Sequence, residues 1–338
     1  MMITLPGKVV LRISAVMTVT LMVALVVHQI SYTSDFTLPN RSIHVISVCD
    51  DSEQRKWGDL GEPLESSIPR EPIPKIVHQI WKNSDVGTYP VQASSETWEK
   101  SLAPLNYTVK LWTDDDVLKL IKANYAWLLS TYEGYSQNIQ RADVARLVVV
   151  HAEGGTYADL DVFPRSTKEM ACLQGLGLEA IFAATSGNLG ASNHFFMAQR
   201  RSPFLEWALQ EAKRRGGSTP KRILLPYLRV FWSTGPIMVT HAFRRYAWMY
   251  DGGPALLDEG YASRVFGHAA GRSWHGSDGR FLNYVSDHLG VLLFWTAATL
   301  SVAALSVVLF IKRCRGKSIE LIPGCGPRLR SKERYIEV

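Results

Sequence analysis

The stretch Arg141-Ala-Asp-Val-Ala-Arg-Leu-Val-Val-Val-His-Ala-Glu-Gly-Gly-Thr-Tyr-Ala-Asp-Leu-Asp-Val-Phe-Pro164 decides how the rest of the chain is read. Arg141, Asp143 and Arg146 stand at helical spacing among apolar residues, which predicts a helix carrying charges into a core. Gly154-Gly155 ends it, and the run from Thr156 to Phe163 is apolar except for Asp159 and Asp161. That run predicts a short strand. Side chains alternate faces along a strand, so Asp159 and Asp161 are expected side by side at its end. Two carboxylates so placed repel each other unless a cation lies between them. A hard divalent cation bound by oxygen ligands, itself holding phosphate oxygens, meets that need. Asp143 and Arg146 are three residues apart and share a helix face.

Strands and helices alternate around this stretch. Ile76 to Trp81, bounded by Pro74, reads as a buried first strand, and Tyr107 to Trp112 as a second. Thr113 and Asp114 can cap a helix through Ile121. Further strands are expected at Ala180–Ala184 and from Ser192, with a helix over Pro203–Arg214. Gly235-Pro236 can turn the chain into a helix with proline at its first position. The alternation predicts an α/β fold with a mainly parallel sheet and a ligand site beyond the carboxyl ends of its strands. The glycine signature of a P-loop or Rossmann enzyme is missing, and so is zinc spacing of cysteine and histidine.

The ends of the chain are of another kind. Val9 to Ile30 is apolar apart from Arg12, and Leu289 to Ile311 has no charge, so each run is long enough to cross a bilayer, which takes about 20 residues. After Ile311 come eight basic and three acidic residues, whereas the segment between the runs is close to neutral. The sequence pI of about 9.1 therefore belongs to the ends, and a nucleic-acid partner has no support. Positive flanks stay cytosolic. The expected order is a cytosolic start over 1–8, a membrane helix over 9–32, a stem over 33–72, a catalytic domain over 73–288, a second membrane helix over 289–311 and a basic cytosolic tail over 312–338. Asn40 and Asn106 lie in glycosylation sequons between the two spans, and Cys49 and Cys172 can pair there if the compartment is oxidising.

Ile-Pro-Lys-Ile-Val-His-Gln-Ile-Trp-Lys82, Arg141-Ala-Asp-Val-Ala-Arg146 and Gly154-Gly-Thr-Tyr-Ala-Asp-Leu-Asp161 follow in an order that resembles the DXD-containing, Och1-like glycosyltransferases of family 32. Ser233-Thr-Gly-Pro236 and Ser273-Trp-His-Gly-Ser-Asp278, with a membrane run directly after, are similar to the later motifs of the fungal inositol phosphorylceramide mannosyltransferase subgroup. The resemblance implies a GT-A fold and a retaining transfer of mannose from GDP-mannose to inositol phosphorylceramide at the Golgi membrane, with the catalytic domain lumenal. A regulatory membrane subunit comes with it. By the same resemblance Asp159, Asp161 and His275 hold Mn2+ (or Mg2+), Asp143 and Arg146 grip the donor sugar, and Trp81 lies near the base. Asn193, Ser233 and Gly235 would line the donor site. His194 stands where the subgroup has an acidic residue, so that strand departs from the pattern. Protein N-glycan mannosylation, UDP-galactose-dependent galactosyl transfer and a non-catalytic regulatory subunit are the competing functions.

Overall fold

The computed structural model describes residues 7–32, 43–50, 72–185, 190–217, 222–250, 253–269 and 277–288, with short helical stretches between 290 and 309. The chain divides into two units, residues 1–279 and 280–338. A helix, α1 (Gly7–Ser31), takes up the first apolar run, and β1 (His44–Ile46) follows. Next come β2 (Ile76–Trp81), α2 (Ser95–Leu102), β3 (Thr108–Thr113), α3 (Asp114–Asn124), α4 (Ala126–Gly134) and α5 (Asn138–Glu153). The middle holds β4 (Gly155–Ala158), β5 (Val162–Pro164), α6 (Thr167–Gly175), β6 (Ala180–Ala184) and β7 (Ala191–Ala198). Then α7 (Pro203–Arg215), α8 (Pro226–Ser233), α9 (Pro236–Met249), β8 (Ala255–Leu257), α10 (Glu259–Val265), β9 (Phe266–His268) and α11 (Ser277–Asp287) complete the order.

Seven strands form one sheet in the order β1-β8-β6-β7-β4-β2-β3, and β5 pairs with β9 in a separate ribbon. Within the large sheet β7 alone runs against its neighbours, β6 and β4, and the other pairs are parallel. The expected α/β architecture with a mostly parallel sheet is therefore present. The reversal of β7 matters for function. It brings the start of β7, residues 192–194, to the edge where β4 ends, and Asp159 N–H donates to the His194 carbonyl at 2.9 Å.

Local chemistry explains the main elements. Thr113 caps α3 through a capping box with Asp116, and Asp114, Asp115 and Asp116 favour the positive helix start. The second half of α5 is buried all round, from Asp143 to His151, because it runs through the core. At its end Gly154 and Gly155 have φ of +70° and +108°. A Cβ on Gly155 would lie 2.6 Å from the Ile76 carbonyl oxygen, so only glycine allows β4 to pack beside β2. His78 fastens the turn. Trp112 donates to its Nδ1 at 3.0 Å, which leaves the proton on Nε2 for the Gly154 carbonyl at 2.8 Å. Burial lowers the His78 pKa, which keeps the ring neutral in this role.

Two expectations are corrected. Residues 156–163 are not one strand: β4 stops at Ala158, and Val162 N–H bonds back to the Asp159 carbonyl at 2.9 Å, so the two aspartates sit in a tight turn. Nor is 33–72 only a stem. His44–Ile46 pairs with β8 at the edge of the sheet, and Cys49 is bonded to Cys172. An edge strand offers unpaired backbone groups, and β1 satisfies those of β8. Asn106 is exposed on a left-handed turn, an accessible position for its sequon. Among the described residues no helix is long and apolar enough to cross a membrane. Asn40, the tail after residue 309 and part of the expected second span lie outside the described residues.

Candidate active site

The site gathers where β4, the start of β7 and the end of α8 meet α5. Arg146, on α5 and almost fully buried, is its centre. Its Nη2 lies 3.4 Å from Asp143 Oδ1, and its Nη1 lies 3.2 Å from Asp159 Oδ1 and donates to the Asn193 carbonyl at 3.0 Å. The guanidinium also lies 5.0 Å from the centre of the Tyr157 ring. Burial works against its charge, but Asp159 and the other acidic neighbours outweigh that and keep it charged.

Asp143 is committed to the protein on both oxygens. Asn193 Nδ2 donates to Oδ1 at 2.9 Å, and Thr234 Oγ1 donates to Oδ2 at 2.9 Å. Burial raises its carboxyl to about 6 against the pull of Arg146 and these hydrogen bonds. So Asp143 reaches the cleft through Arg146 rather than directly, and its place in the site is to hold that guanidinium.

Asp159 and Asp161 occupy the turn beyond β4, at the carboxyl edge of the parallel strands. Tyr157 donates to Asp159 Oδ1 at 2.8 Å. Burial raises the Asp159 carboxyl, with Arg146 drawing it down and Asp161 pushing it up. Asp161 Oδ2 lies 3.5 Å from His268 Nε2. His268 arrives because β9 pairs with β5 in a register that sets Val162 opposite His268. Burial alone would lower the His268 pKa, but the hydrogen bond and charge of Asp161 leave it raised. Its ring stacks on His194 at 4.4 Å, and burial followed by the His268 charge lowers His194 to about 3, so the inner ring is neutral. Tyr89 has its hydroxyl pKa raised by burial and then by the charges of Asp161 and Asp159.

Trp81, at the end of β2, is half-buried, donates to Thr88 Oγ1 at 2.8 Å and packs edge-on against Tyr89 at 4.9 Å. Trp81 and Tyr89 thus form an aromatic pair at the end of β2. Ser233 lies one layer back, where its Oγ accepts from Gln140 Nε2 at 2.7 Å, and Gly235 is the cap of α9. Of the donor-site residues expected here, Asp143, Arg146, Asp159 and Asn193 form one bonded group. Ser233 and Gly235 frame Thr234, which makes the contact. His275 lies outside the described residues. Thr234, Tyr157 and His268 were missed. Thr234 and Tyr157 sit inside the Ser-Thr-Gly-Pro and Gly-Gly-Thr-Tyr-Ala-Asp motifs, so a signal existed for both, but His268 reaches the site only through strand pairing.

Among the described residues no group of three or more histidine, cysteine, aspartate or glutamate side chains is arranged to hold a metal ion. Two carboxylates on one turn nevertheless fit a hard cation such as Mg2+, which takes one or two protein carboxylates and completes its shell with substrate phosphates and water. Asp143, Asp159 and Asp161 outnumber their cationic partners Arg146 and His268, and this favours the same chemistry.

Residues 90–177 match the family described as the glycosyltransferase sugar-binding region containing DXD motif. The chain is 27% identical to inositol phosphoceramide mannosyltransferase 1 of Schizosaccharomyces pombe, over 77% of this chain and 81% of that one. It is 30% identical to mannosyl phosphorylinositol ceramide synthase SUR1 of Saccharomyces cerevisiae, over 72% of this chain and 63% of that one, so it spans less than two thirds of this second relative. The PaToxG glycosyltransferase structure is 17% identical, over 66% of this chain and 80% of its own, with a TM-score of 0.38. The chain is a glycosyltransferase, and its residues 90–177 match the sugar-binding region containing the DXD motif.

Proposed function

We propose that the protein transfers mannose from GDP-mannose to inositol phosphorylceramide, giving mannosylinositol phosphorylceramide. One observation carries the reading: the Asp159–Asp161 turn, backed by Arg146, lies in a chain similar over most of its length to yeast proteins named for this reaction. In this reading the fold is GT-A. The Trp81–Tyr89 wall borders the nucleotide, and the Arg146 group borders the sugar. What Mn2+, or Mg2+ in its place, supplies when bound at Asp159 and Asp161 is neutralisation of the departing diphosphate. His275 would be a further ligand.

The transfer is a same-face displacement. The bond from C1 of mannose to the β-phosphate oxygen breaks, with its electrons on the phosphate. An inositol hydroxyl oxygen bonds to C1 on that face, and its proton passes to the departing phosphate. Asp143 contributes no nucleophile, because both its oxygens are hydrogen-bonded within the protein. A mannosyl adduct trapped on any aspartate or glutamate would overturn this course.

The two apolar runs anchor the chain in the Golgi membrane, with the catalytic domain lumenal and both ends cytosolic. The exposed apolar side chains of α1, Met17 to Ile30, support that placement, and so does the basic tail. The Cys49–Cys172 bond suits an oxidising lumen. A regulatory membrane subunit would meet the anchors. Sphingolipid analysis of cells carrying Asp161→Ala in place of the native chain tests the function. Loss of mannosylinositol phosphorylceramide with accumulation of its precursor is expected. An unchanged lipid profile with altered N-glycans, or activity with UDP-galactose instead of GDP-mannose, would move the assignment to the corresponding rival.

A further inference from the structure

The last turn of α1 is tied to the active site. Gln29 is buried, and its side-chain amide spans the backbone just before α8: Nε2 donates to the Arg222 carbonyl at 3.2 Å, and Oε1 accepts from Leu224 N–H at 2.9 Å. An amide that pairs with both a carbonyl and an N–H fixes position and direction together. Three residues later, Tyr32 sets its ring edge-on to Trp232 at 5.6 Å and joins the cluster of Ile223, Leu228, Trp232 and Ile237. Buried Gln29 and aromatic Tyr32 thus follow a run, Met17 to Val27, of exposed and mostly apolar side chains, and seat its end on a site built to receive them.

Trp232 is itself held by Arg215 at the end of α7. The Arg215 guanidinium lies 4.6 Å from its ring and donates from Nη1 to its carbonyl at 2.8 Å, and Arg215 is only 1% exposed. The next two residues belong to the site: Ser233 bonds to Gln140, and Thr234 bonds to Asp143, the partner of Arg146. Three consecutive residues therefore connect the end of α1 to the group around the donor sugar, with no flexible segment between them.

We infer that Gln29 and Tyr32 are positioning residues, which hold the transfer site at a fixed height beside the lumenal end of the anchor helix, at the level of a lipid headgroup. The acceptor class this selects is a polyol phosphate headgroup still embedded in the bilayer. A glycan on a soluble protein gains nothing from such a fixed height. The inference rests on the membrane and lipid-acceptor reading above and adds the residues that enforce it. Fixed placement matters because a small displacement of one reactant is enough to lower a transfer rate strongly.

The test uses the full chain reconstituted in vesicles. Mannose transfer from GDP-mannose is measured to long-chain inositol phosphorylceramide in the bilayer and to a short-chain, water-soluble analogue. Gln29→Leu and Tyr32→Ala are expected to lower transfer to the bilayer acceptor by about tenfold, through its KM, while transfer to the soluble analogue and the KM for GDP-mannose stay within about twofold. Tyr32→Phe keeps the ring and is expected to behave as the wild type. Equal losses on both acceptors would reduce the two residues to a structural role and overturn the inference, as would unchanged transfer in the bilayer. Wild-type protein that mannosylates neither acceptor would instead refute the proposed function, and the inference would fall with it.

Discussion

Asp143 and Asp159 flank the same guanidinium, yet they are opposite in kind. Asp143 has every oxygen engaged by Asn193, Thr234 and Arg146 and is nearly closed to solvent. Asp159 shares Arg146 but stands in a turn with a second carboxylate, and its side chain is 25% exposed. The first half of the site is finished architecture, with its charges balanced inside the protein. In the second half two carboxylates face His268 and an Arg146 already shared with Asp143, an arrangement that a cation and a diphosphate can complete. One arginine separates the two, so it both stabilises the fold and sets the charge of the cleft.

The comparison yields variants whose effects on stability and activity should diverge. Arg146→Met leaves Asp143 buried without its ion partner, and breaking such a pair costs about 3–5 kcal/mol. Thermal unfolding of the detergent-solubilised full chain should show a lowered midpoint, with transfer abolished. Asp161→Asn should do the reverse: a loss of transfer on the order of 10²–10³, as for removal of one electrostatic contact to a transition state, with the midpoint unchanged or raised because like-charge repulsion is relieved. If it unfolds as readily as Arg146→Met, the two halves are not distinct.

Thr234→Val removes one hydrogen bond to the buried Asp143 and should destabilise by about 1–3 kcal/mol. In a double-mutant cycle with Asp143→Asn the two losses should be strongly non-additive; additive losses would mean that Thr234 acts elsewhere. His268→Ala, on the open side, should raise the metal concentration for half-maximal activity by about 10–100-fold, the usual effect of deleting a partner of a metal-binding carboxylate. An unchanged metal requirement would leave the Asp161–His268 contact without a role in the cleft.

Much of this site is local and therefore legible in the chain. Helical spacing put Asp143 and Arg146 on one face, and the glycine pair marked the break that β4 needs to approach β2. The proline after Gly235 marked the start of α9. The strand through Asp159 and Asp161 was misread, because apolar residues on both sides of a turn look like one buried strand when only periodicity is considered. The early strand β1 was also missed: three residues at a sheet edge carry too little pattern to stand out from a polar segment.

The amino-acid sequence by itself determined the elements, the carboxylate pair, the basic helix face beside it and the apolar runs at the ends, since each depends on residues a few positions apart. Tertiary structure alone decided which groups meet. The reversed direction of β7 delivered Asn193 and His194 to the end of β4, the pairing of β9 with β5 delivered His268 to Asp161, and the packing of α8 delivered Thr234 to Asp143. Those contacts join residues up to 107 positions apart, as in Asp161 with His268, and strand order and direction are set by the burial of the whole core rather than by any local run. The same packing placed Tyr32, just after the first helix, on Trp232, two residues before the Thr234 that holds Asp143.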